Sequence, residues 1–134
     1  MKRVVKIFLI NSKRELLLYL RDDKPDIPYP GYWDLIGGMV EERESDIKAL
    51  KREIKEEIGI SIKNIEKIYE LRCKIDSQEI TMPLFREYID VSINKIKLKE
   101  GQKIRYFELE KLHNLKLFSP LKKFIYKNRY KIFS

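Results

Sequence analysis

The chain has 134 residues, 43% of them hydrophobic and 37% charged, and a formal net charge of +8. That length suits one domain, residues 1–134, with a real core and no need of disulfides or structural metal. No apolar run approaches the roughly 20 residues needed to cross a bilayer as a helix. The positive charge suits an acidic partner, such as phosphate groups, nucleic acid or an anionic membrane. The lysines are scattered rather than blocked, which equally fits a solvated surface. Cys73 is the single cysteine and cannot make an internal disulfide, so a reducing cytoplasm is the expected setting.

The start, "MKRVVKIFLINSKREL", is basic and then apolar, but Lys6 interrupts the run and charges follow at once. It reads as a first strand, too short for a signal peptide. "VVKIFLIN" and "ELLLYLR" form a hairpin across the polar "SKR". "DDKPDIPYPGY" is a loop by its three prolines and glycine. "WDLI" is a short strand entering a tight turn at Gly37-Gly38. A helix follows from about Ser45 to Ile58, with Ser45 as N-cap, Asp46 in the first turn and Gly59 to end it. "IEKIYELRCKI" and "EITMPLFREYIDVSI" are long strands around "DSQ", and "KIRYFEL" is a further strand. "SPLKKFIYKNRY" closes the chain as a basic helix, with Ser119 as cap and Pro120 at the first helical position. There is no repeat, linker or low-complexity segment. The order of elements predicts a mixed sheet with helices packed on it.

On a helical wheel Ile47, Leu50, Ile54 and Ile58 share one stripe, the expected core face. Lys48, Lys51 and Lys55 form a second stripe. Glu53, Glu56 and Glu57 form a third, where Ala49 leaves open space above the carboxylates. Like charges at i and i+4 repel by a few tenths of a kcal/mol, roughly, per pair. A divalent cation would relieve that repulsion. Oxygen donors without histidine or cysteine suit Mg²⁺ or Mn²⁺ rather than Zn²⁺. Such a cation beside a glycine turn makes a phosphate site, at which it polarises a phosphoryl oxygen and acidifies bound water. Glu53 is placed to take that water's proton. Arg52 can orient one carboxylate by a bidentate pair.

The segment from Gly38 to Ile60 also resembles the Nudix hydrolase signature, G-x5-E-x7-R-E-U-x-E-E-x-G-U, where U is a bulky aliphatic. Gly38, Glu44, Arg52, Glu53, Ile54, Glu56, Glu57, Gly59 and Ile60 stand at the required spacings. "RDDKPDIPYPGYWDLIGG" and "KEGQKIRYFELEKL" extend a weaker likeness to MutT-like members. The resemblance implies a Nudix fold of class α/β, an α/β/α sandwich with a central mixed sheet. It implies Mg²⁺- or Mn²⁺-dependent hydrolysis of a nucleoside diphosphate linked to another group. Carried over by position, Glu53, Glu56 and Glu57 would bind metal, Glu53 would be the base, and Gly37 would offer its carbonyl. Glu44 would support the site, and Glu100, in "KEGQ", would complete it. Ile36 stands where many members have proline. "LFSPLKK" lacks the asparagine with which MutT-like enzymes read an oxidised guanine, which argues against that specificity.

Arg21, at the end of the second strand, is a candidate phosphate contact. Trp33 and Tyr32 are candidates to stack on a base or sugar. Asp34 is a candidate acceptor from base or ribose, and Gly38 a close backbone approach. Lys122 and Lys123 are weaker phosphate candidates. His113, the only histidine, lies in a polar turn and carries no catalysis. The expected substrate is a (d)NTP cleaved to NMP and pyrophosphate. A nucleotide sugar or ADP-ribose is the enzymatic alternative, and a nucleotide sensor or RNA-binding module the non-enzymatic one. The intact glutamates argue against a sensor, and neither nucleic acid nor membrane is the expected partner. A homodimer is compatible with the resemblance.

Overall fold

The computed structural model describes residues 2–134. Its frame is one mixed sheet of strands β1 (Lys2–Ile10), β2 (Leu16–Leu20), β3 (Trp33–Asp34), β4 (Ile36–Met39), β5 (Glu66–Ile75), β6 (Gln78–Tyr88) and β7 (Lys103–Phe107). The order β3-β2-β1-β6-β5 forms its spine, with β4 on β1 and β7 on β2. Only the β1–β6 pair is parallel; the other pairs are antiparallel. Helix α1 (Asp46–Ile58) covers one face, and α2 (Ser119–Lys127) with α3 (Arg129–Phe133) covers the other. This is the α/β/α sandwich the sequence predicts.

Strand β1 reads as a nearly continuous apolar run because both its faces are covered. Val5, Ile7 and Leu9 pack beneath α1 with Leu50, Ile54 and Ile58. Phe8 and Ile10 face the other way, against Leu121, Phe124 and Ile132. Each fully buried leucine or isoleucine contributes roughly 1.5–3 kcal/mol. The β5–β6 hairpin closes on Asp76 and Ser77, whose φ values of 50° and 65° are those of a two-residue primed turn.

Helix α1 begins and ends as its sequence indicates. The Ser45 side chain accepts from the Lys48 amide at 3.2 Å, and Gly59 closes the helix at φ 70°, its amide donating to the Ile54 carbonyl. Its roll differs from the wheel reading. Ile47 is 38% exposed, whereas Ala49 is buried and so is Glu57. Arg3 on β1 grips Asp46 through two hydrogen bonds of 2.8 and 2.7 Å. That contact turns the Asp46 side of the first turn toward the sheet and leaves Ile47, about 100° further round, on the flank. Ala49 therefore does not leave open space; it lets α1 lie close to β4.

Three other expectations are corrected. "WDLI" is two short strands broken at Leu35, and Gly37-Gly38 lies within β4 rather than in a turn. Gly37 sits opposite Lys6 and Gly38 opposite Val5 on β1. Ser119 is inside α2 and makes no cap; the helix is entered from Phe118. The closing helix breaks at Asn128, whose side-chain amide donates to the Phe124 carbonyl and competes with the backbone ladder.

Candidate active site

Strand β4 carries the site because its glycines let two other elements come close. A Cβ on Gly37 would stand 2.0 Å from the Val5 carbonyl oxygen, and the residue has φ +147°, which favours glycine. A Cβ on Gly38 would stand 2.5 Å from the carboxyl carbon of Glu53. The first glycine admits strand β1, and the second admits a carboxylate from α1.

Glu57 lies one helical turn beyond Glu53 and is only 3% exposed. Its Oε2 accepts from the Gly37 amide at 3.3 Å. Burial pushes its carboxyl up to about 8; Lys6 opposes that shift, while Glu53 and Glu100 add to it. A buried carboxyl held this way is reluctant to ionise without a cation beside it.

Arg52 organises the carboxylates on the outer side. Its guanidinium makes a two-pronged contact with Glu44, Nε to Oε2 at 2.8 Å and Nη2 to Oε1 at 2.9 Å. Nη1 donates to Glu53 Oε1 at 2.8 Å, and Nη2 donates to the Met39 carbonyl at 3.1 Å. Glu56 is 3.5 Å from Nη1. Glu44 is drawn down to about 2 by its bonds from Arg52 and from the Glu41 amide. Arg52 is raised above its ordinary value by the same Glu44 contact, against some desolvation.

Inward of β4 lies a cavity of about 450 Å³, within the usual range for small-molecule sites. Glu53, Glu57 and Glu100 line it together with Gly37 and Gly38. Arg21, Trp33, Asp34 and Tyr32 line it too, so the structure brings these sequence candidates together. Glu56 is not among the lining residues, and its side chain is 59% exposed. Glu44 does not line the cavity and is bonded to Arg52 and the Glu41 amide. Lys122 is turned away, its ammonium donating to the His113 and Leu115 carbonyls. Lys123 and His113 do not line the cavity, and the His113 ring stacks on Tyr126.

The floor holds a residue that was not a sequence candidate. Lys6 is 6% exposed, with Nζ 2.9 Å from Asp34 Oδ2 and 3.2 Å from the Leu35 carbonyl. Burial alone would lower its pKa, but Asp34, Tyr19 and Glu57 together carry it above the ordinary lysine value. Arg21 Nη1 also reaches Asp34 Oδ2, at 3.2 Å, and the Tyr19 hydroxyl at 3.3 Å. Asp34 Oδ1 accepts from the Leu35 amide. Both Asp34 oxygens are thus already engaged, and the expected free acceptor for a base or ribose is not there. The signal for Lys6 was in the sequence: a lone lysine inside an apolar strand has to find an anion.

Trp33 pairs with β2 and sets its ring edge-on to Phe107, 4.8 Å between centroids. Tyr29 meets both Tyr32 and Phe118 edge-on, at 5.2 and 5.1 Å. Tyr29, Tyr32, Trp33, Phe118 and Leu121 form the aromatic and apolar wall of the cavity.

Among the described residues, no three histidine, cysteine or acidic side chains stand in the arrangement of a bound metal ion. Their chemistry nevertheless fits a hard divalent cation. The donors are all oxygens, Glu57 is buried beside a second carboxylate, and Gly38 leaves open the space in which Glu53 stands.

The NUDIX domain profile matches residues 1–127 of this chain. The chain belongs to the Nudix family. A dihydroneopterin triphosphate diphosphatase of Escherichia coli is 39% identical over 59 residues, which cover 44% of this chain and 35% of that protein. The chain thus spans about a third of the length of that curated relative. Solved Nudix-type structures match nearly end to end. The MutT protein of Methanosarcina mazei superposes with TM-score 0.85 at 24% identity, covering 97% of this chain and 94% of that one. The E. coli dihydroneopterin triphosphate pyrophosphohydrolase superposes with TM-score 0.78 at 18% identity, covering 93% and 92%. At those identities the superpositions speak for the fold of this Nudix chain. No helix among the described residues is long and apolar enough to cross a membrane.

Proposed function

We propose that this Nudix protein, acting as one domain, is a pyrophosphohydrolase that uses Mg²⁺ or Mn²⁺ to cleave a phosphoanhydride bond in a nucleoside diphosphate bearing a further group. The simplest case is a (d)NTP cleaved to NMP and pyrophosphate. One observation carries the reading: a buried carboxyl, Glu57, stands beside Glu53 at the mouth of a cavity with an aromatic wall and a cationic floor.

Glu53, Glu57 and the Gly37 carbonyl would hold the cation, with Glu100 across the cavity and Glu56 at the rim as further donors. When bound, the cation neutralises phosphate charge and lowers the pKa of water. Arg52 fixes Glu53 by its Oε1, and no described residue bonds Oε2. Oε2 is thereby placed to take the proton as water oxygen bonds to phosphorus and the bridging P–O bond breaks. Pyrophosphate departs with the bond's electron pair. Arg52 does not need to move, because Glu44 and the Met39 carbonyl hold its other edge. Arg21 lies where a phosphate oxygen would pass from the glutamates to the aromatic wall.

The test is a panel of canonical and oxidised dNTPs, NTPs, dihydroneopterin triphosphate, ADP-ribose and nucleotide sugars, each with Mg²⁺ and with Mn²⁺. Products are identified by mass, and Glu57→Gln runs alongside. Metal-dependent turnover lost in the variant is expected. In parallel, Mg²⁺ at about 100 times its Kd should add about 2.7 kcal/mol to the stability of the wild type alone. No turnover together with no metal-dependent rise in Tm would overturn the reading.

A further inference from the structure

The cavity has two unlike ends. Glu53, Glu57 and Glu100 stand at one. The other is apolar, with Val4, Ile80 and Met82 from the sheet facing Phe118 and Leu121, and Trp33 closing the side. Lys6 belongs to this apolar surface. Side chains alternate along a strand, so Lys6 shares the face of Val4 and Phe8, while Val5 and Ile7 point to α1.

An ammonium has three N–H donors and no acceptor. Lys6 uses one on Asp34 Oδ2 and one on the Leu35 carbonyl, and no other described residue takes the third. Glu57 acts on it through space without a hydrogen bond, and its other neighbours add donors rather than acceptors. Both Asp34 oxygens already accept bonds, and Arg21 points a guanidinium into the same floor. The Tyr19 hydroxyl stays protonated, because burial pushes its pKa up to about 12 although Lys6 pulls the other way. The floor of an otherwise apolar slot therefore offers hydrogens and wants an oxygen.

We propose that Lys6 is a specificity residue: its free N–H donates to a carbonyl oxygen on the ring of the bound substrate, so that the site selects oxo-substituted heterocycles over amino-substituted ones. This rests on the nucleotide-hydrolase reading above and narrows it to a substrate class. An amino group at the same ring position would place a donor against a buried donor. A hydrogen bond to a charged partner corresponds to a discrimination of about 10–100-fold.

Trp33 is the only tryptophan and lines the cavity, so its fluorescence reports occupancy directly. The protein is titrated in EDTA with IMP, AMP and purine riboside monophosphate, which differ only in the 6-substituent: oxo, amino or hydrogen. IMP should bind about 10–100-fold more tightly than AMP. Equal affinities, tighter AMP, or no binding of any of the three would overturn the proposal. With Mg²⁺, kcat/KM for ITP should exceed that for ATP, and Lys6→Met should lower the ITP value at least about tenfold while shifting ATP by less than about threefold. An equal loss on both substrates would mark Lys6 as merely structural and overturn the proposal. Should Lys6→Met fail to fold, the ligand series on the unaltered protein decides. A preference for IMP without hydrolysis of any triphosphate would sustain this inference and overturn the catalytic reading; hydrolysis of ITP and ATP alike would do the reverse.

Discussion

Replacing each glycine of β4 by alanine should break the protein in two different ways. At Gly37 the new Cβ would meet backbone, 2.0 Å from the Val5 oxygen and 2.9 Å from the Lys6 Cα, at φ +147°. Nothing there can swing aside. Strain of this kind amounts to about 1–3 kcal/mol, and overpacking adds about 1–3 kcal/mol more. Gly37→Ala should therefore lose about 2–6 kcal/mol, a large share of the roughly 5–15 kcal/mol of a typical domain. At Gly38 no positive φ is involved, and the atoms in the way belong to the far end of the Glu53 side chain, 2.5–2.7 Å off. Relief requires the carboxylate to retreat by about 1 Å, a misplacement that can cost about 100-fold in rate. Gly38→Ala should thus stay within about 1.5 kcal/mol of wild type in urea without metal, since the Glu53 side chain can move by a rotamer change while the backbone keeps its place, at a cost of about 0.5–1.5 kcal/mol at most. Its metal-dependent turnover should fall by about two orders of magnitude. Urea unfolding of both variants in EDTA and kcat against Mg²⁺ for Gly38→Ala give the answer. A fully active Gly38→Ala would remove Glu53 from the chemistry, and a Gly37→Ala as stable as wild type would refute the β1–β4 packing.

Other outcomes follow from the same contacts. Arg52→Gln frees Glu44 and Glu53 together, and loss of such an outer partner should weaken Mg²⁺ affinity about 10–100-fold, read by calorimetric titration. Lys6→Met leaves Asp34 in a largely buried place with Arg21 as its remaining cation; the urea midpoint should fall by the equivalent of about 3 kcal/mol, the low end for a broken buried pair, and a change below about 0.5 kcal/mol would mean the pair is not buried in solution. Arg3 holds the Asp46 carboxyl below its ordinary value, chiefly by their hydrogen bond. That increment is present above the unfolded-state pKa and is lost as pH falls through the folded one. The stability gap between wild type and Arg3→Met should then be about 1 kcal/mol or less at pH 7, because Arg3 is partly exposed, and should shrink toward zero in acid; a gap that widened in acid would contradict the pairing.

Local features were legible in the sequence, and features that depend on distant partners were not. Ser45 and Gly59 announce the ends of α1 because capping is decided within a few residues. The spacing of Arg52, Glu53 and Glu57 is also local, and so the acidic patch could be read. Its burial could not. A wheel ranks residues by polarity and sends glutamate to solvent, yet Asp46 is tied to Arg3, 43 residues away in the chain, and that rolls the helix inward over Glu57. Lys6 and Asp34 were each visible, as a charge in a strand and as an acid beside a tryptophan, but nothing local joins residues 28 apart. Gly37 and Gly38 drew attention correctly for the wrong reason. Glycine pairs usually mean turns, and here they mean that a strand and a carboxylate each need the space of a missing methyl.

Two charge networks meet across β4, and their separation is an argument about mechanism. Arg52 gathers Glu44 and Glu53 on the outer side, and Lys6 with Arg21 gathers on Asp34 within. Glu57 lies between, touched by neither through a hydrogen bond and, among the described residues, held by the Gly37 amide alone. It is therefore the carboxyl whose charge the protein itself stabilises least, and burial has raised it accordingly. A cation arriving there meets one carboxylate already fixed by Arg52 and one carboxyl that gains most from its arrival. The positive floor behind Glu57 would repel that cation from going deeper. On the proposed reading the two networks would set an order along the cavity, with metal and phosphates on the glutamate side and the ring against the aromatic wall and Lys6. Moving Lys6 or Arg52 to the other side would erase it.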